Sequence, residues 1–207
     1  MTDTECIVID TIELPADRID DFVAQWRQRA EIVSKADGFR DARLHRAIEQ
    51  DGVLPLVMVA HWDSAEDKDV ALSDPAFRNS AASSGGFATV RGALYTVAAE
   101  YRSVATPQGA GITFVNAFVL PADRVDEFAT HWHGRAALMS RAPGFRDNRL
   151  HRAITQDAHF QLVNIAHWDS AEAWQAAGTD PAFQQRLAAA PTFATANPAL
   201  YEVVAEF

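Results

Sequence analysis

The chain is one pattern written twice. Leu14-Pro15-Ala16-Asp17-Arg18 returns 106 positions later as Leu120-Pro121-Ala122-Asp123-Arg124. The same offset carries Gly38-Phe39-Arg40-Asp41 onto Gly144-Phe145-Arg146-Asp147, and Leu44-His45-Arg46-Ala47-Ile48 onto Leu150-His151-Arg152-Ala153-Ile154. It carries Ala60-His61-Trp62-Asp63-Ser64 onto Ala166-His167-Trp168-Asp169-Ser170, Asp74-Pro75-Ala76-Phe77 onto Asp180-Pro181-Ala182-Phe183, and Ala93-Leu94-Tyr95 onto Ala199-Leu200-Tyr201. A period this long exceeds a solenoid unit and suits duplication of a whole small domain. The expected division is an N-terminal domain over 1–103, a linker over 104–110 and a C-terminal domain over 111–207. Thr106-Pro107-Gln108-Gly109-Ala110-Gly111 has the composition of a linker.

Each repeat reads as β-α-β-β-α-β, and the second copy is the clearer. Ile112 to Leu120 alternates and is β-branched or aromatic, which predicts a strand. Pro121 opens a helix with Val125, Phe128, Trp132, Ala136 and Met139 on one face, and Pro143-Gly144 ends it. Phe145 to Ile154 and Phe160 to Trp168 form a pair of strands about a polar turn at Gln156-Asp157. Ser170 caps a short helix to about Ala177, Asp180-Pro181 starts another, and Ala199 to Phe207 closes the sheet. This is the ferredoxin-like order, an α+β class with helices on one sheet face. The other face needs cover. A second copy supplies it, so the two repeats are expected to pair within the chain.

Composition narrows the classes. With 48% hydrophobic and 22% charged residues, the chain has material for a packed core. A net charge of -10 argues against nucleic acid or an anionic membrane as partner. The lone Cys6 excludes an internal disulfide framework and fits a reducing compartment. The acidic start Met1-Thr2-Asp3-Thr4-Glu5 does not read as a signal peptide, and no apolar run reaches the ~18 residues of a membrane span. A cytoplasmic location is the expectation.

Alternation places Leu162, Asn164, Ala166 and Trp168 on one face of their strand, and Phe114, Asn116 and Phe118 on one face of theirs. Both sets are expected on the helix-covered side, in one apolar cleft. A buried amide left unpaired costs about 1–3 kcal/mol, so these amides bond either to the backbone or to a ligand. The first repeat has Asp10 for Asn116, Met58 for Asn164, Lys68 for Trp174 and Ser80 for Arg186, and keeps Trp62 for Trp168. Framework residues agree while these differ, as expected if one copy alone keeps a polar, aromatic-lined pocket. His45, His61, His151 and His167 are expected between the sheets, hydrogen-bonded rather than ligating a metal, because no carboxylate or Cys completes a ligand pattern. His131 and His133 are expected on a solvated helix flank. Arg43, Arg46, Arg149 and Arg152 are expected to pair with carboxylates.

Val163-Asn164-Ile165-Ala166-His167-Trp168-Asp169-Ser170, then Glu172-Ala173-Trp174 and Asp180-Pro181-Ala182-Phe183, resembles the antibiotic biosynthesis monooxygenase family, as does the preceding Pro143-Gly144-Phe145-Arg146. The resemblance covers nearly all of both repeats and implies a tandem fusion forming an intramolecular dimeric α+β barrel. It implies cofactor-independent oxidation of an aromatic polyketide-type phenol or anthrone to a quinone by dioxygen. Neither cofactor nor metal is implied. The family's Asn–Trp pair on the third strand is matched by Asn164 and Trp168, and the first-strand Asn of related enzymes by Asn116. These three are the expected catalytic residues. Trp174 stands where members carry Tyr. It is expected to bind substrate together with Phe114, Phe118, Arg186 and Trp62, although Arg186 is offset from the family's basic position. Only Trp62 of the Asn–Trp pair survives in the first repeat, which reads as degenerate. The expected partners are a small aromatic substrate and dioxygen, with a homo-oligomer of the pseudo-dimer open. The alternatives are a non-catalytic module for a flat apolar ligand, a polyketide cyclase, and a haem-degrading enzyme. For the last, the segment Thr179 to Ala190 offers no His to bind iron.

Overall fold

Secondary structure repeats as the sequence does. A computed structural model describes residues 6–49, 54–82 and 86–207, so the acidic start lies outside the described residues. The first repeat runs β1 (Cys6–Glu13), α1 (Ile19–Val33), β2 (Phe39–Ala47), β3 (Leu56–Trp62), α2 (Ala65–Ser73), α3 (Pro75–Ala82) and β4 (Thr89–Arg102). The second runs β5 (Ile112–Val119), α4 (Val125–Met139), β6 (Phe145–Ala153), β7 (Leu162–Trp168), α5 (Ala171–Gly178), α6 (Pro181–Ala188) and β8 (Thr195–Glu206). The class is the α+β one expected, two ferredoxin-like repeats. The closing strand β8 starts four residues before the expected Ala199.

The chain packs as two units. One contains the described residues up to Thr96 together with Glu202–Phe207; the other is Val97–Tyr201. The units therefore part within β4 and β8 and not at the 104–110 linker. In the first unit β1 pairs antiparallel with β3 and β4, and β3 with β2. The end of β8 adds to β2, where Ala42 and Phe207 exchange backbone hydrogen bonds of 2.9 and 3.0 Å. In the second unit β5 pairs with β7 and β8, and β7 with β6.

Local chemistry fixes the elements. In α4 the stripe Val125, Phe128, Trp132 and Ala136 is buried, and Asp126 and Glu127 in its first turn complement the helix dipole. Ser170 caps α5 by accepting from the Ala173 N–H, as Ser64 caps α2 through Asp67. Asp180 caps α6 with Pro181 in its first turn. After α4, Gly144 takes φ +81°, and a Cβ there would stand 2.6 Å from the Ala173 Cβ. Both backbone sign and space demand glycine. Gly144→Ala is expected to destabilise the chain by at least about 1 kcal/mol, read as a lowered urea midpoint at unchanged m-value.

The remaining polar expectations can be placed. Arg43 pairs with Glu206, Arg46 with Asp20, Arg149 with Glu100 and Arg152 with Asp126. The Nδ1 atoms of His45 and His151 lie 3.1 and 3.2 Å from the carbonyls of Val57 and Val163. His61 and His167 bond Asp41 and Asp147, both at 2.8 Å. His133 lies on the exposed flank, its Nδ1 3.2 Å from the Tyr101 hydroxyl. The linker is clasped. Arg146 donates to Asp169 and to the carbonyls of Gln108 and Gly109, and the Gln108 N–H donates to the same Asp169.

Candidate active site

β7 runs between β5 and β6 and is buried on both faces except at His167. Its helix-facing residues are Leu162, Asn164, Ala166 and Trp168. Asn164 lies directly opposite Asn116 on β5, so the two amides expected in one cleft are cross-strand neighbours. Trp168, 1% exposed, follows on the same face and meets Phe145 edge-on at 5.3 Å. Phe114 and Trp174 stack at 5.1 Å, and Phe118 meets Phe128 at 4.6 Å. These expected residues therefore share the helix-covered side of the second unit.

Two departures concern the supporting residues. Arg186 is exposed on α6, with Nη1 close over Gly134 of α4, where a Cβ would stand 2.6 Å from it. Trp62 belongs to the first unit, where it packs edge-on against Phe39 at 5.2 Å and lines a cavity.

The polar atoms set this face apart from an ordinary core. The Asn164 Oδ1 accepts a hydrogen bond from the Trp132 indole N–H at 3.1 Å, which fixes the orientation of the amide. Asn116 Oδ1, Asn148 Oδ1, Trp168 Nε1 and Arg135 Nη1 are buried with no hydrogen-bond partner among the described residues. Each such orphan costs about 1–3 kcal/mol, and the second unit holds four of them. Packing agrees. One cluster gathers Phe118, Phe128, Trp132, Leu150 and Leu162; another gathers Phe145, Ala166 and Trp168 with Phe114 and Trp174 against them. The three amides fall between the clusters on their strands: Asn116 between Phe114 and Phe118, Asn148 between Phe145 and Leu150, Asn164 between Leu162 and Ala166. A polar belt divides an otherwise apolar face. In the first repeat its positions hold Asp10, Ala42 and Met58, and the equivalent core is one cluster.

Asn148 and Arg135 join the site without having been expected from the sequence. Arg135 lies on the α4 stripe, seven residues after Phe128 and three after Trp132, so the helical period contained the signal. It is 8% exposed, its guanidinium 5.7 Å from the Phe128 ring centre, and burial pulls its pKa below the usual arginine value. Asn148 was hidden by a β-bulge between Phe145 and Asp147, which puts Phe145 and Asn148 on the same face against simple alternation.

The second repeat thus differs from the first in having buried amide and indole groups across the helix-covered apolar face of its unit. The chain belongs to the antibiotic biosynthesis monooxygenase family, whose model matches residues 6–83 and again 111–189. It is accordingly a monooxygenase with a small-molecule substrate. The crystal structure of an anthrone oxidase-like protein superposes with TM-score 0.73 at 19% identity, covering 100% of this chain and 94% of that one. A candidate monooxygenase from Fusobacterium nucleatum gives 0.70 at 10% identity, covering 100% and 95%. Another from Lactobacillus acidophilus gives 0.64 at 8%, covering 98% and 95%. These likenesses show the fold. No curated protein matches the sequence. No described helix is long and apolar enough to cross a membrane.

Proposed function

We propose that the second repeat, 111–207, oxidises an aromatic polyketide-type phenol or anthrone to a quinone with dioxygen and without a cofactor, and that the first repeat, 1–103, has lost this chemistry. The observation that carries the reading is the belt of Asn116, Asn148 and Asn164 with the unpaired Trp168 indole between two aromatic clusters. A flat polycycle suits the walls, and its oxygens suit the belt.

An anthrone enolate is electron-rich enough to reduce dioxygen itself. Having given one proton to water, its ring carbon supplies an electron pair to dioxygen, a C–O bond forms, and the peroxide takes up a proton. The O–O bond then breaks as the remaining C–H proton leaves. One quinone and one water result, with the substrate as sole reductant. The protein's part is electrostatic and steric. The Asn164 Nδ2 and Trp168 Nε1 donate to the developing oxyanion or peroxide, and the Oδ1 atoms of Asn116 and Asn148 accept from substrate hydroxyls. Apolar walls keep water from the peroxide.

An oxygen electrode with anthrone as probe tests this. One dioxygen is expected to be consumed per quinone formed, at a rate EDTA leaves unchanged. Turnover of an aromatic polyketide substrate without oxygen uptake would instead assign the site to cyclisation.

A further inference from the structure

Arg135 is a buried cation that the proposed oxidation does not use. It is 8% exposed on the α4 stripe, one turn after Trp132, and its Nη1 has no hydrogen-bond partner among the described residues. No carboxylate of the described residues pairs with it. We propose that Arg135 is a specificity-determining residue whose guanidinium receives a carboxylate carried by the aromatic substrate, so that the second unit selects ring systems bearing an acid group. The proposal rests on the reading of this unit as the substrate site and adds to it the charge of the ligand.

The two repeats supply the comparison. Arg29 is the counterpart of Arg135, and Phe22 of Phe128. The guanidinium stands 5.4 Å from the ring centre in the first unit and 5.7 Å in the second, so both arginines reach back along their helix to the same aromatic position. In the first unit Arg29 lines a cavity of about 430 Å³, together with the Asp10 and Lys68 side chains. In the second repeat Asn116 replaces Asp10 and Trp174 replaces Lys68. Both charged neighbours have become neutral, and the arginine has stayed. A buried cation without a counter-ion is strongly unfavourable, because nothing offsets its removal from water. Burial lowers the pKa of Arg135 with no carboxylate to oppose the shift, yet an arginine keeps its charge at neutral pH. The missing anion therefore has to come from a ligand.

A carboxylate meets the need best. It is ionised at neutral pH and matches the guanidinium fork with two parallel hydrogen bonds, whereas a phenol must first lose its proton. Arg135 stands beside Phe128, in the aromatic cluster on one side of the amide belt, and Trp168 belongs to the cluster on the other. An acid group held at Arg135 thus orients a polycycle across the belt, with its oxidisable ring at Asn164 and Trp168.

Equilibrium dialysis of the full chain against naphthalene-2-carboxylate and naphthalene-2-carboxamide isolates the charge, since the two probes share one ring system. The carboxylate is expected to bind at least about tenfold more tightly. In Arg135→Gln this preference should shrink to within about twofold, and Arg135→Lys, a point charge without the fork, should keep part of it. Arg135→Met, which buries no polar group, repeats the measurement should the Gln variant fail to fold. Arg29→Gln should leave the preference intact. The proposal is overturned if the amide binds as tightly as the acid, if the preference survives loss of the Arg135 charge, or if Arg29→Gln abolishes it. Dialysis involves no dioxygen. Oxygen uptake without a charge preference would overturn this inference alone, and a charge preference without oxygen uptake would overturn the oxidation alone.

Discussion

Asn164→Ala is expected to lower the turnover number for anthrone oxidation about 100-fold while changing KM by less than about threefold. That is the size of effect found when one preorganised donor to a developing oxyanion is removed. The case for this residue is geometric. The Trp132 indole N–H occupies its Oδ1, so the amide cannot flip without losing a buried bond, and its Nδ2 is left as the free donor. Because that donor acts on charge that grows during reaction, its loss falls on the turnover number more than on substrate affinity. The substitution also strands the Trp132 N–H at a cost of about 1–3 kcal/mol, so the variant's folded fraction must be measured alongside. Unchanged oxygen uptake by folded Asn164→Ala would remove the belt from the mechanism.

Asp10→Asn is expected to stabilise the protein by about 2 kcal/mol at pH 8 and hardly at all at pH 4. Burial holds the folded Asp10 pKa at about 6 against an ordinary 3.8. The folded state therefore binds the proton more tightly than the unfolded one. Below pH 4 both states are protonated and nothing is lost. As the pH rises to 6 the unfolded chain ionises first, stability falls, and above 6 the full penalty persists. Two pKa units correspond to roughly 3 kcal/mol, an upper figure, since the new amide also goes partly unpaired. Urea unfolding at the two pH values measures the difference. A variant equally stable or weaker at pH 8 would show that Asp10 has stabilising partners as a carboxylate.

Much of the architecture was legible because the chain states it twice. Ser170, Asp180-Pro181 and Gly144 each act through local geometry that a short segment specifies, and alternation in β5 and β7 sufficed to place Asn116, Asn164 and Trp168 on one face. What sequence could not supply was partnership between distant elements. Trp132 belonged to the helical stripe and read as packing; that its N–H reaches Asn164, 32 residues away, depends on how α4 crosses the sheet. The bulge at Arg146 reversed the phase that would have exposed Asn148. In the first repeat the loss of the Asn from the Asn–Trp pair, with Trp62 kept, read as degeneracy of the site. Yet Asp10, Arg29 and Lys68 come from three elements that only the fold brings around one cavity.

Duplication usually frees one copy to drift while the other keeps the work. The crossing of β4 and β8 between units restricts that freedom here. Val204, whose carbonyl receives Arg27, and Phe207, which packs on Trp26, are encoded in the second repeat yet complete the first unit. Tyr101, which packs on Trp132 beneath the amide belt, is encoded in the first yet serves the second. Each copy thus carries a piece of its sibling's scaffold, so a substitution's harm can surface in the half where it did not arise, and neither half can decay into a passive spacer without dragging the other down.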